Sequence, residues 1–308
     1  MTTFGDQLYQ YGGVPVGGPM MTGSVFFVRN ATGVDDTDHG KRPDAPLATI
    51  DYAIGQCTAD KGDIIYVMPG HNEGLGNAQI TVDIAGISII GLGRGSNAPR
   101  IDFDHANASI DVSANGCTLR NLRLLPSVTD VLIGIDVMAA ATDTLIENVE
   151  SLPGEDGAGV DDLALGIDIK AGCSRTTVRN YKQRQHASAA GYIAGIRLTG
   201  ASNDVIIENP DIVLKGTAAV APINGITTLS TNVVVRGVGQ KVLLVSDDEP
   251  GVELLTGTTG VLEDVDIFTD LATIAAATVA DGMAHFRVRY VEVGNESDAT
   301  VKTASIDD

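Results

Sequence analysis

Apolar and polar residues alternate in short runs along most of this chain. "SIDV" (109–112), "GIDV" (134–137), "GIDI" (166–169), "GIRL" (195–198), "GITT" (225–228) and "GVEL" (251–254) are six versions of one phrase. Alternation with period two marks a strand with one buried face. A second phrase follows each: "TLRNL" (118–122), "LIENV" (145–149), "TVRNY" (177–181), "IIENP" (206–210), "VVRGV" (234–238) and "VLEDV" (261–265). Its fourth residue is Asn121, Asn148, Asn180, Asn209, Gly237 or Asp264, spaced 27 to 32 residues apart. An earlier copy, "SIIGL", puts Gly91 at the same point. Asn, Gly and Asp tolerate the left-handed backbone region, so one corner per repeat is expected to need it.

A period of this size indicates a solenoid. Most repeats lack room for a helix of ~10 residues beside two strands, which excludes leucine-rich and helical solenoids. A parallel β-helix remains, with each coil stacked ~4.8 Å above the last. That geometry gives a reason for the charge pattern. The residue before each corner is Arg120, Glu147, Arg179, Glu208, Arg236 or Glu263, and the residue two after it is Arg123, Glu150, Lys182, Asp211, Gly239 or Asp266. Stacked in register, both outward columns alternate in sign for most of their length. Alternation rewards the correct neighbour and penalises slippage by one coil.

The ends differ from the middle. "LATIDYAIGQC" places Leu47, Ile50, Ala53, Ile54 and Cys57 on one helical face, between the strands "SVFFV" and "GDIIYV". A helix there is expected to plug the open end of the solenoid. Val28, Gly33, Asp35, Pro46, Ala48, Thr49, Ile50, Ala53, Gly62, Asp63, Ile65, Tyr66, Val67, Pro69 and Gly70 form a pattern that resembles the opening of many right-handed parallel β-helix proteins. The resemblance implies an all-β, right-handed, single-stranded parallel β-helix of about 7–8 coils. It spans about fifty residues and is specific for fold but not for function, because that family holds pectate lyases, tailspikes and inert virion proteins alike. Residues 1–23, rich in Gly and Pro, read as an extended arm with Phe4, Leu8, Tyr9 and Tyr11 as anchors. This arm resembles those of β-helix proteins encoded among the structural genes of tailed bacteriophages. The expected organisation is an arm (1–23), a strand, capping helix and first coil (24–75), the β-helix (76–270), and a β-rich cap or oligomerisation segment (271–308). The repeat is expected to stop after Asp270.

Composition narrows the function. The chain has 308 residues with 40 acidic against 20 basic, a formal charge of −20. Such a field opposes binding to nucleic acid and to anionic membranes. No basic n-region precedes an apolar run, and no apolar stretch approaches ~20 residues, so neither a secretory signal nor a membrane span is expected. Cys57, Cys117 and Cys173 form no CxxC pair and read as free thiols in a chain folded in a reducing cytosol. There is no Trp, and aromatics are only 4%, which argues against a long sugar-stacking groove.

Candidate chemistry is sparse. Asp111, Asp136 and Asp168 take equivalent outward positions on consecutive coils, with Arg197 next. Three carboxylates ~5 Å apart repel unless a cation intervenes or their pKa values rise. The column resembles the calcium site and arginine base of pectate lyases, and the paired carboxylates of a retaining glycosidase. "DDTDHG" (35–40) reads as an Asx turn, since a calcium loop would need Glu where Pro46 and Leu47 lie. "GLGRGSNAP" (91–99) has no following helix to form a phosphate cradle. The five histidines are scattered, and "GEDGAGVDD" (154–162) and "QRQHASAAG" (183–191) read as protruding insertions. The leading expectation is a tailed-phage virion protein of capsid decoration (cement) type. It would be a homotrimer made in the host cytoplasm, bound to the major capsid protein, with no enzymatic activity, cofactor or metal. The alternative is a tailspike-type polysaccharide lyase, hydrolase or glycan-binding β-helix.

Overall fold

The computed structural model describes residues 23–129, 131–152, 163–184, 194–214, 221–225, 229–244, 252–255 and 257–269. It also describes the short strands Tyr9–Gln10, Val14–Pro15, Ala280–Asp281, His285–Arg289, Glu292–Asn295 and Val301–Thr303. For 238–244, 266–269 and those short strands, it is the backbone path that is described.

Strands stack in three columns. The first runs through Ile64–Val67, Ser88–Gly91, Thr118–Arg120, Leu145–Glu147, Thr177–Arg179 and Ile206–Glu208, each parallel to the next. The second runs through Asn72–Gly74, Arg100–Phe103, Arg123–Pro126, Glu150–Ser151, Lys182–Arg184 and Asp211–Leu214. Both belong to one bent 18-stranded sheet, which the long strands Val233–Leu244 and Thr259–Thr269 extend. The third column is a separate eight-stranded sheet from Gln79–Val82 to Ala280–Asp281. Each coil supplies one strand to each column, which is the parallel β-helix.

The interior follows from the period-two pattern. Ile65, Ile89, Leu119, Ile146, Val178, Ile207, Val235 and Leu262 lie one above another and are almost wholly buried. Ile80, Ile110, Ile135, Ile167, Ile196, Ile223 and Val252 form a second stack from the third sheet. Each such side chain contributes ~1.5–3 kcal/mol by leaving water. A polar island interrupts the core, where the buried Tyr181 hydroxyl donates to Gln183 Oε1 at 3.0 Å. Gly166 makes room for it: a Cβ there would lie 2.1 Å from that hydroxyl oxygen.

The corner between the first two columns is two residues long in the four coils that turn at Asn121, Asn148, Asn180 and Asn209. Asn121, Asn148, Asn180, Asn209 and Asp264 have φ of +57°, +54°, +52°, +51° and +54°. Asparagine serves because its amide also bonds along the stack. Asn180 Nδ2 donates to Asn148 Oδ1 at 2.8 Å, and Asn209 Nδ2 to Asn180 Oδ1 at 3.0 Å. Two expected corners differ. Gly91 aligns with Asn121 but ends the strand Ser88–Gly91 and is not among the left-handed glycines, which include Gly93 and Gly95. Asn121 Nδ2 instead donates to the Gly91 carbonyl oxygen at 2.7 Å. Gly237 lies inside the strand Val233–Leu244, at a bulge between Arg236 and Gln240.

The outward charges stack as the register requires. Arg120, Glu147, Arg179, Glu208, Arg236 and Glu263 are successive partners. Arg120 meets Glu147 at 2.5 Å, Arg179 meets Glu147 at 3.4 Å and Glu208 at 2.5 Å, and Arg236 also pairs with Glu208. Burial raises the Glu208 carboxyl, but its two arginines outweigh burial and hold it below its usual range. In the second ladder Glu150 meets Lys182 at 2.7 Å and Arg123 at 3.7 Å. Gly239 is displaced from that ladder. The bulge adds two residues, so Lys241 stands opposite Asp266 and the alternation of residue types continues.

The ends correct two expectations. The helix α1 (Ile50–Gly55) is shorter than the apolar pattern suggests. Leu47 precedes it in a bridge to Val28, Cys57 follows it, and Thr49 caps it by accepting from the Tyr52 amide. Asp35 fixes this approach, accepting from the Ala48 and Thr49 amides and the Thr49 hydroxyl. Helix α1 stands where the third sheet would otherwise continue, and the Thr81 amide donates to Asp51 Oδ1 at 3.0 Å instead of to a strand. At the other end the repeat does not stop at Asp270. Ala280–Asp281, His285–Arg289 and Glu292–Asn295 continue all three columns in parallel, and Val301–Thr303 then folds back antiparallel. Within the expected arm, Tyr9–Gln10 pairs antiparallel with Val14–Pro15. Phe4, Leu8 and Tyr11 lie outside the described residues.

Two outcomes test this architecture. Asn148→Val should cost about 1–3 kcal/mol in chemical denaturation, because a β-branched residue is strained at positive φ. Asn148→Gly should cost under ~1 kcal/mol, the worth of the exposed amide bond alone. Glu147→Lys should destabilise, and with Arg179→Glu it should lose about 0.5 kcal/mol less than the sum of the two single losses, a coupling read from the double-mutant cycle. Equal losses from the first pair, or strict additivity in the second, would contradict the stacking.

Candidate functional site

The third sheet carries the carboxylate column. Thr81, Asp111, Asp136, Asp168 and Arg197 are successive partners in register. The column then passes to Asn224, Glu253 and Asp281. The expected alignment of "GITT" with "GIRL" is therefore three residues out. Ile223 and Asn224 take the places of Ile196 and Arg197, because "PIN" supplies the same alternation earlier in the chain.

Each carboxylate has a different environment. Asp111 is half-exposed and accepts from the Ser109 hydroxyl at 2.6 Å. Asp168 is buried and held on both oxygens. Arg197 Nη2 reaches Oδ2 at 3.0 Å, Arg197 Nε reaches Oδ1 at 3.4 Å, and the Thr199 hydroxyl also donates to Oδ1. Asp136 has a side chain only 8% exposed, with Oδ2 paired to Lys170. Its Oδ1 is buried without a hydrogen-bond partner. Burial raises the Asp136 carboxyl above its usual range; Lys170 opposes that shift, and the Asp168 and Asp111 carboxylates add to it.

The repulsion expected of three stacked carboxylates is thus met inside the chain. Lys170 and Arg197 supply compensating positive charge to Asp136 and Asp168. Among the described residues no three His, Cys, Asp or Glu side chains converge closely enough to hold a metal ion. An open groove of about 330 Å³ lies over Asp111 and Asp136, bounded by Asn77, Gln79, Asn107, Ser109 and the exposed Leu132. Lys170 was not singled out by pattern reading. Its signal is its place one residue after "GIDI", where a long side chain can reach back across one coil to Asp136.

Other sequence candidates resolve into structure. Asp36 makes the Asx turn, accepting from the Asp38 and His39 amides at 2.9 and 3.0 Å. Gly95–Asn97 is a single 3₁₀ turn. His71 and Glu73 form a buried pair beneath α1. His71 Nε2 lies 3.0 Å from Glu73, whose carboxylate accepts from the Ile50 amide at 3.1 Å, while the Asn30 amide donates to His71 Nδ1 at 3.0 Å. Gln183 and Arg184, read as the start of an insertion, end the strand Lys182–Arg184, with Gln183 buried. The rest of that insertion and residues 154–162 lie outside the described residues. The free thiols of Cys117 and Cys173 are buried, and that of Cys57 is half-buried and pushed up to about 12 by burial and by Asp63.

No protein-family model and no curated protein matches this chain. Solved structures do. Pectate lyase Pel9A is 16% identical over 90% of this chain and 78% of its own, with a TM-score of 0.50. The GH136 lacto-N-biosidase from Eubacterium ramulus is 11% identical over 88% and 68%, with a TM-score of 0.39. Geobacillus virus E2 ORF18 is 12% identical over 79% and 56%, with a TM-score of 0.38. At such identities the likeness to Pel9A is one of fold, the parallel β-helix.

The raised Asp136 pKa fixes the sign of a pH effect. A carboxyl whose folded pKa exceeds its unfolded value stabilises fully below the unfolded value, and that contribution is lost as pH rises through the folded one. Asparagine at this position has no such loss, and the net direction already includes Lys170. The melting temperature of Asp136→Asn relative to the parent should therefore climb as pH rises above the ordinary carboxyl range, about pH 4. A relative fall over that range would mean that attraction to Lys170 outweighs burial.

Proposed function

We propose that this protein is a structural component of a tailed-bacteriophage particle. In this reading it is a decoration (cement) protein that binds the major capsid protein on the outer capsid surface as a homotrimer and stabilises the shell. The observation that carries the reading is the state of Arg197. A lyase-type base must face its substrate, yet this guanidinium is bound to Asp168 and Thr199. Asp168 is in turn held on both oxygens, which leaves it no acid–base work. The outward charges of the two ladders link one coil to the next, as a scaffold requires. The phage context rests on the resemblance of the Gly/Pro-rich arm, residues 1–23. An arm with four large apolar residues gains affinity by ordering on a partner, and three arms on one trimer add avidity.

Deleting residues 1–23 should leave a folded, soluble trimer that no longer sediments with undecorated capsids, while the full chain does. A monomer both in solution and on the particle, or undiminished capsid binding by the truncated form, would overturn the reading. So would cleavage of acidic or neutral polysaccharides, with calcium, that Asp136→Asn abolishes.

A further inference from the structure

We propose that two copies of this chain pair face to face, with their rods antiparallel, through the outer surface of the first column. The contact is separate from the trimer and joins copies whatever oligomer they start from. The face is read from three neighbouring columns. Thr118, Leu145, Thr177, Ile206, Val234 and Val261 are successive partners, half-buried on the outside of the sheet. Unlike the ladders and the carboxylate column, this stripe carries no charge. On one side of it runs the ladder from Arg120 to Glu263, alternating in sign coil by coil. On the other side lie the corner residues Asp143, Arg175 and Asp204, with Arg175 Nε 2.5 Å from Asp143 Oδ1. Each corner residue has the sign of the ladder residue in its own coil: Asp143 with Glu147, Arg175 with Arg179, Asp204 with Glu208.

These signs decide the symmetry. If two rods meet here parallel and level, every coil meets its own counterpart. Acid then faces acid at Glu147 and Asp143, and arginine faces arginine at Arg179 and Arg175. Reversing one rod removes the conflict, because a one-coil alternation then opposes unlike charges wherever the two-fold falls between coils. With the two-fold between the coils of Thr177 and Ile206, Arg179 meets Glu208 of the second copy, Glu147 meets Arg236 of the second copy, and Arg120 meets Glu263 of the second copy. Arg175 meets Asp204 of the second copy. Between these rows Leu145 lies on Val234 of the second copy, and Thr177 on Ile206 of the second copy. The arginines bond along their own rod as well, but each guanidinium has five N–H donors. A net charge of −20 opposes self-association elsewhere, whereas arginines and carboxylates nearly balance on this face. Six coils at ~4.8 Å make a contact about 29 Å long; at a width of roughly 20 Å it covers on the order of 600 Å² per copy, which suits a weak dimer with a Kd in the micromolar range.

Sedimentation velocity of the full-length protein across a wide concentration range tests this. The mass should double as concentration rises. Leu145→Lys, flanked on its own strand by Asp143 and Glu147, should keep the fold and weaken the doubling at least about tenfold. A short bismaleimide should cross-link Leu145→Cys mixed with Val234→Cys, but not Leu145→Cys alone. The native thiols stay silent, since Cys117 and Cys173 are buried and the Cys57 thiol is pushed up to about 12. Absence of doubling, undiminished doubling by folded Leu145→Lys, or cross-linking of Leu145→Cys to itself would each overturn the proposal. So would a trimer that Leu145→Lys dissolves, because that would place the three-fold contact on this face. Capsid sedimentation reads the proposed function separately, so the two readings fail independently.

Discussion

Everything in this molecule depends on parallel stacking at the strand-to-strand spacing. Once coils repeat at ~4.8 Å, each position on one coil has the same position of the next coil as its nearest neighbour. Identity along a column then becomes an energetic matter. Apolar columns gain from repetition, as the isoleucines of the third sheet do. Amide columns gain too, because asparagine both donates and accepts, and Asn148, Asn180 and Asn209 chain together. Charged columns lose from repetition and must alternate. The three behaviours have one cause, and together they define the register more sharply than backbone bonds, which any slip by a whole coil would restore.

The carboxylate column shows what happens when alternation fails. Asp111, Asp136 and Asp168 repeat the same sign. The chain compensates from the side with Lys170 and from the next coil with Arg197, and it leaves one oxygen of Asp136 without a donor. Burial and like charge push the Asp136 carboxyl up. A buried carboxylate with one unpartnered oxygen thus lies beside an open groove on the third sheet.

Much of this was legible from residue types. The left-handed corners follow from Asn at a fixed offset, the ladders from sign reversal, and helix α1 from the spacing of Ile50, Ala53 and Ile54. Errors arose where alternation alone was ambiguous. "PING" and "GITT" both alternate, and only the pairing of Asn224 with Arg197 decides between them. The bulge after Arg236 replaced Gly239 with Lys241, and an insertion has no signature of its own in a count of offsets. The continuation past Asp270 was hidden because His285–Arg289 is not followed by an Asn, Gly or Asp corner. Lys170 was missed because its partner lies 34 residues away, a separation visible only after coils are stacked.

The corner itself separates what can vary from what cannot. Between the first and second columns the chain spends two residues, as in Asn121–Leu122, Asn148–Val149, Asn180–Tyr181 and Asn209–Pro210. Between the second and third columns the length is free: Pro126 to Ile135 in one coil, Ser151 to Leu165 in the next, Arg184 to Ala194 after that. In the coils from Asn121 to Asn209, length varies at the edge between the second and third columns and not at the two-residue corner. That edge is a natural grafting line, where foreign peptides or evolving recognition loops can be lengthened coil by coil while the opposite edge keeps the pitch.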